Sequence, residues 1–114
     1  MIEAKLNYDN FRGCIKLRLR GHAAAAPRGE DLVCAAVSAL ALTAGQCAVF
    51  LDRRGLLARE PMVRLHNGDA LVAVTPTPEA LAETLMCFWT IQSGLYALQK
   101  QYPQYIKLRA VLKV

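Results

Sequence analysis

Leu32 to Leu51 reads LVCAAVSALALTAGQCAVFL, twenty residues without a charge. About 20 apolar residues suffice to cross a bilayer, so the reading of this stretch decides between a membrane span and a packed domain. Its alanine, serine, threonine, glycine and glutamine content leaves it weakly apolar, and the expectation is a fully buried helix. Asp31 stands before it as an N-cap residue, which places Cys34 in the first helical turn. Arg53, Arg54 and Gly55 stop the helix after about Asp52, with Gly55 in a C-cap role.

Working outward, period-two patterns flank the helix. Ile2, Ala4, Leu6 and Tyr8 alternate with Glu3, Lys5 and Asn7; after a turn at DNFRG, Ile15, Leu17 and Leu19 alternate with Lys16, Arg18 and Arg20. Both read as half-buried strands of one hairpin. A loop from Gly21 to Glu30 leads into the helix. Beyond it, Pro61 opens a strand MVRLH, joined to ALVAV through His66, Asn67, Gly68 and Asp69, and Asn-Gly between alternating runs is a strong hairpin signal. Thr77 caps a second helix with Pro78 at its first position. That helix runs to about Tyr102, with Leu81, Leu85, Phe88, Trp89, Ile91, Leu95 and Leu98 at helical spacing, and Pro103 ends it. A last strand covers Ile106 to Val114.

Two hairpins, two helices and a closing strand predict an α+β fold for a single domain over residues 1–114. Because at least three strands have one apolar and one polar face, both helices belong on one side of a mainly antiparallel five-stranded sheet, as a two-layer sandwich. The first helix has almost no polar stripe and so needs a second cover. The second helix supplies part of it and a symmetric partner chain the rest, which predicts a homodimer.

The composition narrows the function classes. At 54% hydrophobic and 20% charged, the chain is globular rather than disordered. Four cysteines, Cys14, Cys34, Cys47 and Cys87, lack CxxC spacing and any zinc-site pattern with histidine, so they read as reduced cytosolic thiols. No metal or organic cofactor is implied. MIEAKLNYDN lacks the basic start and apolar run of a secretory signal, which predicts a cytoplasmic protein. The net charge of +5 points to an acidic partner, nucleic acid above all. Lys16, Arg18, Arg20, Lys107, Arg109 and Lys113 line the polar sheet face, either as a solvated surface or as a contact for RNA. A non-enzymatic RNA-binding or ribosome-associated module is therefore the rival to any catalytic reading.

The catalytic reading starts from GHAAAAPRGEDLVCAA, Gly21 to Ala36. A cysteine in a first helical turn sits near unpaired N–H groups and the positive end of the helix dipole, which favour thiolate. A nearby imidazole, here His22, would lower the thiol pKa further and donate a proton to a departing amine. The same N–H groups could hold an oxyanion. The plain alternative is that Cys34 is a small apolar filler and His22 a loop residue. Asp31 either caps the helix or orients His22, and Ser38, one turn after Cys34, either touches the pair or bonds back to a carbonyl. Cys14, Cys47 and Cys87 have no helix start beside them. His66 reads as a surface residue of the second hairpin.

Gly21-His22-Ala23 followed by Gly29-Glu30-Asp31-Leu32-Val33-Cys34-Ala35-Ala36-Val37-Ser38-Ala39-Leu40 resembles the Prp family of ribosomal-processing cysteine proteases. The likeness extends to chain length and to element order over nearly the whole chain. It implies a cytosolic bacterial homodimeric endopeptidase with a Cys/His dyad, His22 as base and Cys34 as nucleophile, with Asp31 and Ser38 in supporting places. The implied substrate is the precursor of large-subunit ribosomal protein number twenty-seven, cut after an aromatic residue to remove an N-terminal extension. In the loop, Ala24, Ala25, Ala26 and Pro27 stand where glycine or aromatic residues are more usual, which bears on how the loop opens.

Overall fold

The chain folds as an α+β two-layer sandwich. The computed structural model describes residues 1–21 and 28–113, with side chains in the first helix described from Leu32 onward. The elements run β1 (Ile2–Asp9), β2 (Cys14–Arg20), α1 (Arg28–Arg53), β3 (Met62–His66), β4 (Asp69–Val74), a 3-10 turn at Pro78–Ala80, α2 (Leu81–Gln101) and β5 (Ile106–Ala110). The sheet order is β3-β4-β2-β1-β5. Every neighbouring pair is antiparallel except β1 and β5, which run parallel with Ile2 opposite Ile106.

The alternation in the sequence becomes the two faces of this sheet. Ile2, Ala4, Leu6, Ile15, Leu17 and Leu19 are buried under the helices, together with Val72 and Val74 of β4. Phe88, Ile91 and Leu95 of α2 close the same core. On the other face Arg18 pairs with Asp69 at 3.4 Å and Arg109 with Glu3 at 2.7 Å. Such exposed pairs add only about 0–1 kcal/mol each. Among the described residues, Lys16, Arg20 and Lys107 of that face make no ion pair and remain exposed.

Turn chemistry fixes the connections. The Asp9 carboxylate accepts from the backbone N–H groups of Phe11 and Arg12, and the Asp9 carbonyl accepts from Gly13, so one residue closes the first hairpin. At the end of α1 the N–H of Gly55, at φ +72°, donates to Asp52 and that of Leu56 donates to Leu51. This is the Schellman arrangement, and it needs a glycine in the left-handed region. Thr77 precedes the 3-10 turn in extended conformation, but its side chain makes no capping hydrogen bond.

Three expectations are corrected. First, α1 begins at Arg28, so Asp31 is the fourth helical residue rather than the N-cap, and Cys34 lies beyond the first turn. Second, α1 is not buried all round, although it is long and apolar enough to cross a membrane by length and composition. Val33, Val37, Ala41, Ala44 and Ala48 form its core face, while Leu32, Leu42 and Phe50 are each 60% exposed. Small residues let α1 settle between its neighbours: Gly45 lies against Val63 and Leu65 of β3, and Leu40 reaches Gly94 of α2. Third, β5 ends at Ala110, because beyond it the Gln92 side chain takes both backbone groups of Leu112 in place of a strand.

Gly21 closes β2 at φ +108°, and its N–H donates to the Gly68 carbonyl at 3.0 Å, carrying the β2–β4 ladder into the Asn67-Gly68 turn. A Cβ at this position would run into the Met1 carbonyl. Backbone cannot give way as a side chain can, and the dihedral alone costs about 1–3 kcal/mol for other residues. Gly21→Ala is expected to lower the urea midpoint of unfolding by the equivalent of about 2 kcal/mol or more, whereas Gly55→Asn, in open space, loses little.

Candidate active site

Strand order brings the start of α1 and the β3–β4 hairpin to the same end of the sheet, on its helical side. Between them lies a cleft of about 240 Å³, lined from α1 by Cys34, Val37, Ser38, Ala41 and Leu42. Its opposite wall is the hairpin, from Leu65 through His66, Asn67, Gly68 and Asp69 to Ala70, and Gly21 reaches it from the end of β2. The cleft walls are mostly apolar side chains with polar groups concentrated in the turn.

Helical periodicity explains the α1 side. Cys34, Ser38 and Leu42 follow one another at intervals of four, so they form one row along the helix, while Val33 and Val37 beside that row point into the core. Cys34 is partly buried and packs against the core from the cleft side, and Ser38 is exposed. The structure thus brings Cys34 and Ser38 together. His22 lies outside the described residues; Asp31 is placed only as a helical residue, an acid in the first turn where the dipole favours negative charge. The proposed activation of Cys34 by the helix start is corrected at this point, since the field of a helix terminus fades within the first turn and Arg28 opens α1 six residues earlier.

His66 is the surface hairpin residue that the sequence predicts, with a neighbourhood that the sequence did not disclose. It is exposed, as expected for a hairpin residue, yet it belongs to the wall of the Cys34 cleft. The Asn-Gly signal identified the turn but carried no information about what the turn would face. That follows from β4 pairing with β2 and from the Gly21–Gly68 bond, neither of which is local. Asp69, at the far end of the turn, is shared by Arg18 at 3.4 Å and Arg64 at 3.9 Å, which steadies the hairpin against β2.

The other cysteines are separated from this site by their surroundings. Cys47 of α1 meets Cys87 of α2, and burial first, then the neighbouring Cys87, pushes its thiol from the ordinary 9.0 up to about 11. A thiol so held is protonated at neutral pH and is a poor nucleophile. Cys14 only approaches the Ile15 carbonyl at 3.9 Å at the start of β2. Among the described residues no cluster of histidine, cysteine and carboxylate could hold a metal ion.

A family model described as cysteine protease Prp matches residues 1–107. No curated protein sequence matches the chain. Among solved structures, the essential ribosomal processing protease Prp of S. aureus in complex with a substrate peptide is similar at 19% identity, covering 97% of this chain and 100% of that one with a TM-score of 0.69. The same protease with a covalently linked product peptide gives 20% identity over 97% of this chain and 100% of that one, with a TM-score of 0.67. The SMU.848 protein of Streptococcus mutans gives 20% over 99% of both chains and 0.68. At such identities the likeness concerns the fold.

The raised Cys47 thiol has a thermodynamic consequence. The unfolded chain releases this proton near pH 9 while the folded chain keeps it to about 11, so the contribution to stability is complete below pH 9 and is lost as pH rises through that window. Urea unfolding at stepped pH values is expected to show a steeper loss between pH 9 and 11 in the natural chain than in Cys47→Ala.

Proposed function

Because the chain belongs to the cysteine protease Prp family, we propose that it is an endopeptidase whose nucleophile is Cys34 and whose base is His22. The observation that carries this reading is the position of Cys34: partly exposed, and opening onto a cleft that Gly21, the residue covalently joined to His22, also lines. In the reaction the Cys34 sulfur attacks the scissile carbonyl and its proton passes to His22. The imidazolium then protonates the leaving amine as the C–N bond breaks, and water hydrolyses the thioester left on Cys34. Since the helix terminus is too distant to ionise the thiol, the imidazole carries that task. Ser38, in the same row as Cys34, and Asp31 are the supporting residues.

The substrate is the precursor of large-subunit ribosomal protein number twenty-seven, cut after an aromatic residue. Val37, Ala41, Leu42 and Leu65 give the cleft the apolar walls that such a ring would enter. The S. aureus relative, a ribosomal processing protease in complex with a substrate peptide, supports the class of substrate. The work is done in the bacterial cytoplasm, and Lys16, Arg20 and Lys107 on the polar sheet face favour approach to the negative ribosome. Incubated with that precursor, the natural chain is expected to yield one new N-terminus after an aromatic residue. Cys34→Ala and His22→Ala yield none, and a Cys34→Ala protein still cleaving at the natural rate overturns the reading.

A second copy of the chain is the proposed cover for the outer stripe of α1, where Leu32 and Phe50 stand exposed. Light scattering is expected to give twice the chain mass at micromolar concentration, and the single mass for Leu32→Glu with Phe50→Glu.

A further inference from the structure

The two edges of the sheet are finished differently. Along β5 the second helix supplies side chains where a neighbouring strand would bond: Gln99 accepts from the Leu108 N–H at 2.6 Å. Gln92 accepts from the Leu112 N–H at 2.6 Å and donates to the Leu112 carbonyl at 3.1 Å. At the other edge, β3 has every residue from Met62 to His66 exposed. Natural sheets rarely leave an edge open without a use, since a bare edge recruits other chains.

The register shows which backbone groups are free there. His66 and Asp69 flank the two-residue Asn67-Gly68 turn and are paired, so they exchange both hydrogen bonds, and the pattern then alternates. Arg64 and Met62 therefore bond inward to β4. Val63 and Leu65 turn their N–H and C=O groups outward. Their side chains stand toward α1, against Gly45, and Leu65 is itself part of the Cys34 cleft. The open edge thus runs directly into that cleft, and its two outward residues share an apolar shelf with Leu42 of α1, 60% exposed.

We propose that the free edge of β3 seats the substrate: an extended peptide segment adds as a sixth strand, bonded to Val63 and Leu65, and its continuation carries the scissile bond over the hairpin end to Cys34. This rests on the protease reading. Main-chain bonding of this kind supplies affinity with little demand on sequence, and alternate side chains of the added strand meet the apolar shelf under α1. Specificity for the aromatic residue then belongs to the cleft, while the edge aligns whatever precedes or follows it.

The test reads the backbone rather than the side chains. With Cys34→Ala and a peptide carrying an aromatic residue before the cut, amide exchange followed by NMR is expected to slow at Val63 and Leu65, with Arg64 unchanged. With the active chain, N-methylation of successive peptide amides is expected to raise KM about five-fold at every second position. Val63→Pro, which removes an outward N–H and leaves the inward ladder whole, raises KM by a similar factor with kcat kept. Unchanged exchange at Val63 and Leu65 under saturating peptide overturns the proposal even if the peptide is cleaved, and leaves the protease reading intact. Protection at both amides without any cleavage by the natural chain overturns the protease reading and keeps the edge as a peptide site. Protection already present in the free protein and lost on dilution assigns the edge to a second copy and overturns the proposal.

Discussion

One backbone hydrogen bond, from Gly21 to Gly68, holds together the parts on which the site depends. It joins the residue that follows β2 to the turn between β3 and β4, and it does so where the Met1 carbonyl presses close. Three segments distant in sequence therefore meet at one point on the rim of the cleft. Any side chain larger than hydrogen would separate them. The cleft exists because that approach is permitted, and the chain leaves it toward His22 in a direction set by a dihedral that glycine accepts at little cost.

Given this anchor, the chemistry divides between two walls with different physical characters. The α1 wall is rigid and apolar: a row of small and medium side chains, with the sulfur of Cys34 in it, backed by Val33 and Val37 in the core. The hairpin wall is polar and narrow, and Asp69 ties it to β2 and β3 through Arg18 and Arg64. In the proposed reaction, a thiol set in a packed helix opposite a hairpin wall suits acyl transfer, in which the reacting carbonyl must be held at a fixed distance and angle.

Much of this was legible because the signals were local. The Asp9 turn, the Asn67-Gly68 hairpin, the Gly55 stop and the Pro103 limit each rest on residues within a few positions of one another. The two-layer arrangement followed from alternation that one face of a sheet must satisfy. The start of α1 was less clear because an aspartate serves a helix start in two places: it caps from the N-cap position, and an acid within the first turn is also stabilised, so Asp31 fits both. The placement of His66 on the cleft wall opposite Cys34 was not legible, since it depends on which strands become neighbours. The same holds for the glutamines of α2, which read as ordinary polar positions on a helix yet complete the β5 edge. His22, the residue that the motif singled out most clearly, lies outside the described residues, so the pairing with Cys34 rests on the family motif and on the position of Gly21.

The parallel pairing of β1 with β5 has a consequence for how the protein comes into being. Ile2 sits opposite Ile106, and both are buried. During synthesis the hairpins and helices can form as they emerge, but the first strand keeps one side unpaired until β5 has been made and has left the exit tunnel. Non-local pairing of this kind is slow and couples the first and last strands of the sheet into a single cooperative step. Until β5 arrives, the core face that Ile2 shares with Ile106 stays open to water, whereas the α1 and hairpin walls around Cys34 contain no residue of β5.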